Sequence, residues 1–323
     1  MGAINERVGD LGEHALIRRI SQRMATTDSV VVGIGDDAAV AKLSGDAVMC
    51  TDAMVEGVHF RRQWSSPSQI GGKIVARNFA DIAAMGATPV GFTLSLTVPA
   101  DLESDWVQEL ISGVNAECER AGSAFVGGDT TSGPTIVLVG TALGDTAGVA
   151  PVIRSGARSG DVVAVLGQLG CAAAGLALLM RGRVEGEACV SVQQLPQPNY
   201  ASARAAAAAA SSMIDTSDGL IADLRHIAVA SAVDINIHKA SVPMAACVRD
   251  AADDCRVDPW TWVLTGGEDH AFIATFAPHQ VPVGWHVVGE VSNGRGEVTL
   301  DSQVWNHAAG YEHFTNHTVP LLG

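Results

Sequence analysis

Aspartates recur along the chain beside residues that suit phosphate chemistry, at Asp36, Asp37, Asp52, Asp81, Asp129, Asp215 and Asp218. Several lie next to glycine or a hydroxyl side chain, in GIGDD, CTD, GGDTT and DTSDG. Carboxylates and hydroxyls are the hard ligands that Mg²⁺ prefers, and glycine lets the backbone approach a phosphate closely. Because many carboxylates repel a bare triphosphate, metal ions are expected between the two. The pattern predicts a magnesium site that handles a nucleotide phosphate.

A simpler interpretation of each single aspartate stays open, because aspartate is a common turn former and helix cap. Familiar phosphate and nucleophile motifs are missing: the sequence holds no GxxxxGK[ST], HRD, DFG or GxSxG. The segment GQLG at Gly167–Gly170 is short of a dinucleotide fingerprint and favours a tight turn over a nucleotide loop. The aspartates as a group therefore carry the functional prediction.

Strands and helices that alternate along the first half must position these side chains. Strands are expected at 30–34, 47–51, 91–98, 124–127 and 135–144, with the sharp loop GGDTTSGP between the last two. Helical spacing of apolar residues predicts helices at 11–24, 68–85 and 102–121. Most of the aspartates follow a predicted strand, which is where side chains of an α/β sheet usually reach a ligand.

The second half repeats this order after a polar, turn-rich stretch that follows Ala150. A strand is expected from Asp161, then helices at 171–180, at the alanine-rich 201–213 and at 220–232. We predict an α/β protein of two domains, residues 1–148 and 149–323, that meet at a cleft.

Charge and composition exclude several classes of protein. With 35 acidic against 20 basic residues, the net charge of −15 makes nucleic acid and anionic membranes poor partners. No apolar run is long enough for a membrane span, and no signal peptide is expected. The six cysteines show no CxxC spacing and are interpreted as small buried residues of a reducing compartment, which predicts a cytoplasmic protein without a zinc site.

Seven motifs in order cover nearly the whole chain: GIGDDAAV, TDAMVEGVHF, NFADIAAMGATP, GGDTTSGP, IRSGARSGD, IDTSDGL and TGGEDH. They resemble the thiamine-monophosphate kinase family of the aminoimidazole ribonucleotide synthase superfamily. The resemblance implies ATP-dependent phosphorylation of thiamine monophosphate to the diphosphate by direct in-line transfer. It also implies an aminoimidazole ribonucleotide synthase-like α/β (α+β) fold, in which the N-terminal metal- and ATP-binding domain completes a β-barrel across a homodimer and an α/β domain follows.

The resemblance also carries roles to individual positions. It implies metal ligands at Asp37, Cys50, Thr51, Asp52, Asp81, Asp129, Asp215 and Asp218. ATP contacts fall on Gly128, Asp129, Arg154 and Ser217, and thiamine monophosphate contacts fall on His59, Glu268 and Tyr311. Asp52, Asp129 and Asp218 are the residues we expect to be essential for catalysis. In GDDAAV the expected ligand is Asp37, with Asp36 as a supporting or capping residue.

Two positions depart from the family pattern. Cys50 stands where Ser or Thr is usual, which weakens one metal contact if that contact uses the hydroxyl, and His270 stands where tyrosine is frequent. Without the resemblance, His59 would be interpreted as a structural histidine and Arg154 as a solvated cation. Glu268 would suit a surface turn, and Tyr311 an ordinary core.

Three alternatives stay open from the sequence. A selenophosphate synthetase would need a reactive Cys or selenocysteine near the amino terminus, and residues 1–30 contain no Cys. The hydrogenase-maturation relative ends in a functional cysteine, whereas this chain ends HTVPLLG. A catalytically inactive nucleotide-binding subunit would be expected to have degenerate carboxylates, and the expected carboxylates are all present.

Overall fold

The computed structural model describes residues 6–22, 27–34, 37–184, 186–305 and 310. The chain separates into two compact units, Met1–Ile82 with Ala87–Val149 and Ala83–Gly86 with Ala150–Gly323. Among the described residues, no helix is both long enough and apolar enough to cross a membrane.

A four-stranded sheet organises unit 1. Its strands are β3 (Ala47–Val55), β4 (Thr88–Val98), β5 (Ala124–Ser132) and β6 (Val137–Asp145), in the order β3-β6-β4-β5. Strand β6 is antiparallel to both its neighbours, whereas β4 and β5 are parallel. A separate antiparallel pair is formed by β1 (Val30–Val32) and β2 (Val40–Ala41).

The helices of this part of the chain are α1 (Val8–Leu11), α2 (Glu13–Ser21), α3 (Pro67–Ala84) and α4 (Ser104–Arg120). Glycines let α3 and α4 approach closely, because a Cβ at Gly71 would lie 2.0 Å from the carbonyl oxygen of Leu110. Phe79 of α3 packs edge-to-face on Phe92 of β4, with ring centroids 5.8 Å apart. Burial of these aromatic rings fixes α3 against the sheet.

A seven-stranded sheet organises unit 2, in the order β13-β12-β9-β11-β7-β10-β8. The strands are β7 (Val162–Leu166), β8 (Ala210–Asp215), β9 (Val233–Ile237), β10 (Phe272–Phe276), β11 (His286–Asn293), β12 (Val298–Leu300) and β13 (Gln303–Val304). The helices are α5 (Cys171–Met180), α6 (Ala188–Gln194), α7 (Tyr200–Ala206), α8 (Leu220–Ser231), α9 (Ala246–Cys255) and α10 (Pro259–Thr265). Strand β10 is buried along its whole length, so the core lies at the centre of the sheet.

Two expectations about elements are wrong. The motif GGDTTSGP does not form a sharp loop, because residues up to Ser132 belong to β5 and pair with β4. The alanine-rich helix ends at Ala206, and Ala210–Asp215 forms β8 instead. In both cases pairing with a buried neighbouring strand outweighs the local preference for a turn or a helix.

Smaller differences concern the ends of elements. The expected opening helix is interrupted at Gly12, which has a φ of 72°, so two helices replace one. Strand β3 continues to Val55, four residues beyond the expected end at Thr51.

Candidate active site

Strand β3 and helix α3 bring three of the expected metal ligands together in unit 1. The Cys50 thiol donates to the backbone oxygen of Asn78 at 3.2 Å. Burial, and then the charges of Asp81 and Asp52, raise the pKa of Cys50 well above its ordinary value. The Cys50 side chain is therefore a neutral thiol between two carboxylates.

The positively charged side chain of Arg77 lies beside these carboxylates. The guanidinium of Arg77 approaches Asp52 to 3.6 Å, with 13% of the Arg77 side chain and 29% of the Asp52 side chain exposed. Arg77 and Asp81 lie one turn apart on α3, so the helix presents both to β3. The sequence reasoning missed Arg77; its i,i+4 spacing from Asp81 was the available signal.

The Thr51 hydroxyl makes hydrogen bonds to the neighbouring strand β6. Its hydroxyl donates to the carbonyl oxygen of Gly140 at 2.7 Å, and the Thr141 hydroxyl donates to Thr51 at 3.2 Å. The Thr51 oxygen keeps acceptor capacity, because a hydroxyl offers two lone pairs.

A second group of expected residues lines a cavity of about 490 Å³ in unit 1. Asp37, Gly128 and Asp129 all contribute to its wall. Both aspartates are exposed. The cavity is also lined by apolar side chains from α2, β4 and α4: Ile17, Ile20, Leu94, Leu96 and Ile111.

These two groups lie on opposite edges of the unit 1 sheet. Asp52 of β3 pairs with Gly140 of β6. In the same row Gly140 pairs with Leu94, which pairs with Gly128 of β5. Since neighbouring strands lie about 4.8 Å apart, three steps place Asp52 and Gly128 about 14 Å apart along the sheet. Within one chain, the structure does not bring Asp52 and Asp129 together.

His59 lies in the turn that follows β3. Its Nδ1 accepts the backbone N–H of Val55 at 3.0 Å, and its own backbone N–H donates to the Val55 carbonyl at 3.0 Å. With Nδ1 acting as an acceptor, a neutral imidazole carries its proton on Nε2. His59 is half-buried.

In unit 2, two motifs distant in sequence are joined by backbone hydrogen bonds. Glu268 donates its N–H to the carbonyl oxygen of Ser217 at 2.9 Å, and His270 donates to Thr216 at 3.0 Å. These bonds continue the pairing of β8 with β10. The expected ligands Asp215, at the end of β8, and Asp218, on the segment that follows it, thereby lie beside the segment that carries Glu268 and His270.

His270 is a buried partner of Asp215. Its Nδ1 lies 2.9 Å from Asp215 Oδ2, and both side chains are 3% exposed. The Nε2 of His270 is buried and has no hydrogen-bond partner in the part of the chain that the structure describes. His270 and Glu268 both have positive φ, 49° and 67°, a conformation that non-glycine residues rarely adopt outside constrained sites.

Two further buried carboxylates, Asp223 and Asp269, shape this site, and the sequence reasoning missed both. Asp223 accepts the N–H groups of Gly219 at 2.9 Å and Asp218 at 3.2 Å, and burial followed by the charges of Asp215 and Asp218 raises its pKa to about 8. The sequence signal for the two carboxylates was weak, because Asp223 lies within a helical pattern and Asp269 lies next to Glu268, which the family motif makes more prominent.

The carboxylate of Asp269 lies at the start of α5. Its carboxylate accepts the N–H groups of Gly170 at 2.5 Å and Ala172 at 2.7 Å, and burial raises its pKa to about 7. The GQLG segment is thus a turn, as its sequence favoured, and Asp269 accepts the N–H of its last residue, Gly170.

Arg154 is separated from the other unit 2 candidates along α8. Its carbonyl oxygen accepts the hydroxyl of Ser231, at the end of α8, at 2.8 Å. Asp218 precedes the start of α8, and the helix between them is about 18 Å long. The structure therefore does not bring the Arg154 backbone to Asp218. Tyr311 and Asp36 lie outside the described residues.

The expectation that aspartates follow strands is only partly correct. Asp215 ends β8, as expected. Asp52 and Asp129 instead lie within β3 and β5, and Asp81 lies within α3. The Asp52 side chain is nevertheless 29% exposed, and Asp129 is exposed.

Comparisons with known proteins cover nearly the whole chain. Residues 35–146 match the family described as AIR synthase related protein, N-terminal domain. Thiamine-monophosphate kinase of Mycobacterium tuberculosis is 43% identical over 94% of this chain and 92% of its own. The enzyme of the same name from Corynebacterium glutamicum is 38% identical over 95% of each chain. A solved structure described as AaThiL complexed with AMPPCP and TMP aligns with a TM-score of 0.80 at 30% identity, covering 97% of this chain and 100% of the other.

Proposed function

The chain belongs to the thiamine-monophosphate kinase family, and we propose that it transfers the γ-phosphate of ATP to thiamine monophosphate. The observation that carries the proposal is the backbone pairing of residues 216–217 with 268–271. This pairing joins the motif IDTSDGL, with candidate metal and ATP ligands, to the motif TGGEDH, with the candidate substrate ligand Glu268. A phosphate donor and its acceptor need such adjacent ligands to react in line.

The reaction makes one bond and breaks one. A phosphate oxygen of thiamine monophosphate attacks the γ-phosphorus, and the bond from that phosphorus to the β–γ bridging oxygen breaks, giving thiamine diphosphate and ADP. Because a phosphate monoester is already an anion near neutral pH, a general base adds little. Positioning and neutralisation of charge supply most of the acceleration.

Magnesium is the metal that these residues fit. The donor set is carboxylates with a hydroxyl, and Cys50, the thiol that lies beside them among the described residues, is kept neutral by burial and two acidic neighbours, which raise its pKa. We assign Asp52, Asp81 and Thr51 to one group, Asp37 and Asp129 to a second, and Asp215 and Asp218 to a third. Bound Mg²⁺ would neutralise the phosphate oxygens and so permit approach of the anionic acceptor. Asp52, Asp129 and Asp218 are the ligands we expect to be essential.

The cavity of unit 1 suits the nucleotide. Its volume of about 490 Å³ and its isoleucine and leucine walls fit a purine ring, and Asp37 and Asp129 supply ligands for metal ions on the phosphates. A Cβ at Gly128 would lie 1.9 Å from the carbonyl oxygen of Leu94, so only glycine fits this close strand pairing. Ser217 and Arg154 are the ATP contacts that we propose from unit 2.

Three residues are proposed for thiamine monophosphate. The Nε2–H of His59 can donate to its phosphate, and the Glu268 carboxylate can balance the positive thiazolium ring. Tyr311 is assigned by family resemblance only.

We further propose a cytoplasmic homodimer whose N-terminal units, residues 1–148, associate through their sheets. Strand β3 exposes every second residue up to Ala53, and Met49 is 68% exposed. An exposed edge strand with apolar side chains favours pairing with a second chain.

All six cysteines are free thiols, which suits a reducing compartment.

The test is incubation with Mg-ATP and thiamine monophosphate, followed by chromatographic detection of thiamine diphosphate and ADP. We expect equal amounts of the two products, and no product when unphosphorylated thiamine replaces the monophosphate. ADP without thiamine diphosphate would instead indicate another ATP-using enzyme of the superfamily. Absence of both products would indicate a non-catalytic nucleotide-binding subunit.

A further inference from the structure

Three cysteines that are far apart in sequence meet in unit 2. Cys189 Sγ lies 2.7 Å from Cys247 Sγ, and Cys171 Sγ lies 3.9 Å from Cys247 Sγ. All three sulfur atoms lie within 4.8 Å of one another. Sequence spacing gave no sign of this cluster, because 58 residues separate Cys189 from Cys247.

Each thiol is in the first turn of a helix. Cys171 begins α5, and Cys189 and Cys247 are the second residues of α6 and α9. The starts of α5 and α9 carry partial positive charge, which stabilises a thiolate. The cluster is therefore placed where a sulfur anion is less costly than elsewhere in a protein core.

Negative charge in the cluster is favoured at Cys171. Hydrogen bonding by Cys189, and further by Cys247, lowers the pKa of Cys171 against the opposing effects of burial and Asp269. The pKa of Cys189 is raised by its hydrogen bond to Cys171, and the pKa of Cys247 is raised by burial. Cys171 and Cys189 are buried, while Cys247 is half-buried and offers the route to solvent.

Sulfur distances discriminate between a metal site and a disulfide. Zinc–sulfur bonds of about 2.3 Å hold tetrahedral ligands about 3.8 Å apart, so Cys189 and Cys247 would have to separate by about 1 Å. A disulfide bond of about 2.05 Å needs them to approach by only about 0.7 Å. The 2.7 Å contact is thus nearer to a disulfide than to a pair of metal ligands.

We propose that Cys189 and Cys247 are a redox-active pair that a low-molecular-weight disulfide oxidises to an intramolecular disulfide, with Cys171 left as the neighbouring thiol. The half-buried Cys247 loses its proton to solvent, and its thiolate attacks one sulfur of R–S–S–R, which forms a mixed disulfide with Cys247 and releases RS⁻. Cys189 then attacks Cys247 Sγ, and the second RS⁻ leaves. The two cysteines lose two protons and two electrons, and R–S–S–R becomes two R–SH. This inference is independent of the proposed kinase activity.

The experiment maps thiols in the native full-length chain. The protein is incubated with oxidised glutathione, free thiols are blocked with iodoacetamide, and non-reduced tryptic peptides are identified by mass spectrometry. Trypsin places Cys171, Cys189 and Cys247 in the separate peptides 159–181, 184–204 and 240–249. We expect a cross-link between 184–204 and 240–249, with Cys171 alkylated, and loss of the cross-link after treatment with dithiothreitol.

Two matched variants and a metal measurement complete the test. Cys255→Ser, on the same helix as Cys247, should keep the cross-link, whereas Cys247→Ser should lose it. The wild-type peptide map decides the question even if Cys247→Ser does not fold. A dominant link from Cys171 to Cys247, or no intramolecular link at saturating oxidised glutathione, would overturn the proposal. So would one zinc ion per purified chain that protects all three thiols from alkylation.

Discussion

Asp52 is the residue on which the charge-neutralisation account depends most directly. Its carboxylate lies 3.6 Å from the guanidinium of Arg77, and its charge and that of Asp81 both raise the pKa of Cys50. We predict that Asp52→Asn lowers kcat/KM by on the order of 10³-fold, because an amide keeps the shape but loses the charge that holds a metal ion. An ADP-release assay with thiamine monophosphate measures this loss.

The matched control is Asp105→Asn, an exposed residue in the first turn of α4. This variant should keep the wild-type rate, and both variants should have wild-type circular dichroism. Wild-type turnover by Asp52→Asn would refute the metal-ligand role of Asp52.

We expect His270 to position the Asp215 carboxylate. It holds Asp215 through one buried hydrogen bond of 2.9 Å. His270→Leu removes this donor, and we expect a 10–100-fold rise in the Mg²⁺ concentration that gives half-maximal rate, because partners of metal ligands have effects of about that size. His270→Asn should restore part of the affinity, since its amide can donate and asparagine tolerates positive φ.

A Mg²⁺ titration at saturating substrates separates this role from a structural one. If His270→Leu lowers the melting temperature but leaves the Mg²⁺ dependence unchanged, His270 serves the fold and does not position Asp215.

Residue types alone indicated oxygen ligands, but not their partners. Asn78, which accepts from Cys50, and Asp223, which binds the Asp218 backbone, became visible only in the folded chain. These contacts join residues whose proximity depends on tertiary packing or on a turn, and neither leaves a periodic signal in sequence. The cysteine cluster escaped prediction for the same reason.

At the scale of elements, Asp145 fastens the end of β6 to the loop before β3. Its carboxylate accepts the N–H groups of Ser44, Gly45 and Ala147, each at 2.8 Å, and these bonds lower its pKa to about 2. A depressed folded-state pKa contributes stability above the unfolded value of 3.8, and this is lost as pH falls toward 2. We predict that Asp145→Asn lowers the free energy of unfolding by about 2 kcal/mol at pH 7.

Urea unfolding at a series of pH values tests the sign of this effect. The difference between wild type and Asp145→Asn should shrink as pH falls from 4 to 3, and Asp101→Asn, an exposed substitution, should show little difference at any pH. A gap that widens toward pH 3 would contradict the assignment.

The helices that the sequence predicted well have either amphipathic periodicity, as in α3 and α4, or an apolar run rich in alanine and leucine, as in α5. Helices α3, α4 and α5 lie within two residues of their expected ends. The first residues of β8 were mistaken for helix because the alanine run at 201–210 favours a helix locally, whereas pairing with the buried β10 decides the structure of β8. The segment GGDTTS is likewise a strand because it pairs with β4. Local turn propensities take no account of such a distant partner.

Over the whole molecule, the charge of −15 opposes the binding of an anionic nucleotide. We predict that removing Mg²⁺ with EDTA weakens binding of a fluorescent ATP analogue by at least about 100-fold, since close like charges cost several kcal/mol without a bridging cation. Adding NaCl should not restore the affinity, because screening does not replace ligation. Equal affinity with and without Mg²⁺ would exclude metal-bridged binding.

The separation of the unit 1 ligands has a consequence for assembly. Asp52 lies on β3, and Asp129 lies on β5, the opposite edge of the same sheet. When two four-stranded sheets close into a barrel, each edge strand meets an edge of the other sheet. If β3 meets β5 of the partner, Asp52 of one subunit and the partner's Asp129 approach each other. In the proposed homodimer, each active site would then take its proposed ligands from both chains.

Subunit complementation tests this arrangement. Asp52→Asn and Asp129→Asn chains, each inactive alone, are co-expressed with different tags, and the doubly tagged heterodimer is purified. Its two sites contain both substitutions or neither, so we predict about half of the wild-type rate per dimer. A heterodimer of Asp52→Asn with Asp81→Asn should stay inactive, because β3 and α3 of one chain supply both residues. An inactive Asp52→Asn/Asp129→Asn heterodimer would show that a single chain supplies both groups, and the ligands would then need a rearrangement within the unit to converge on one nucleotide.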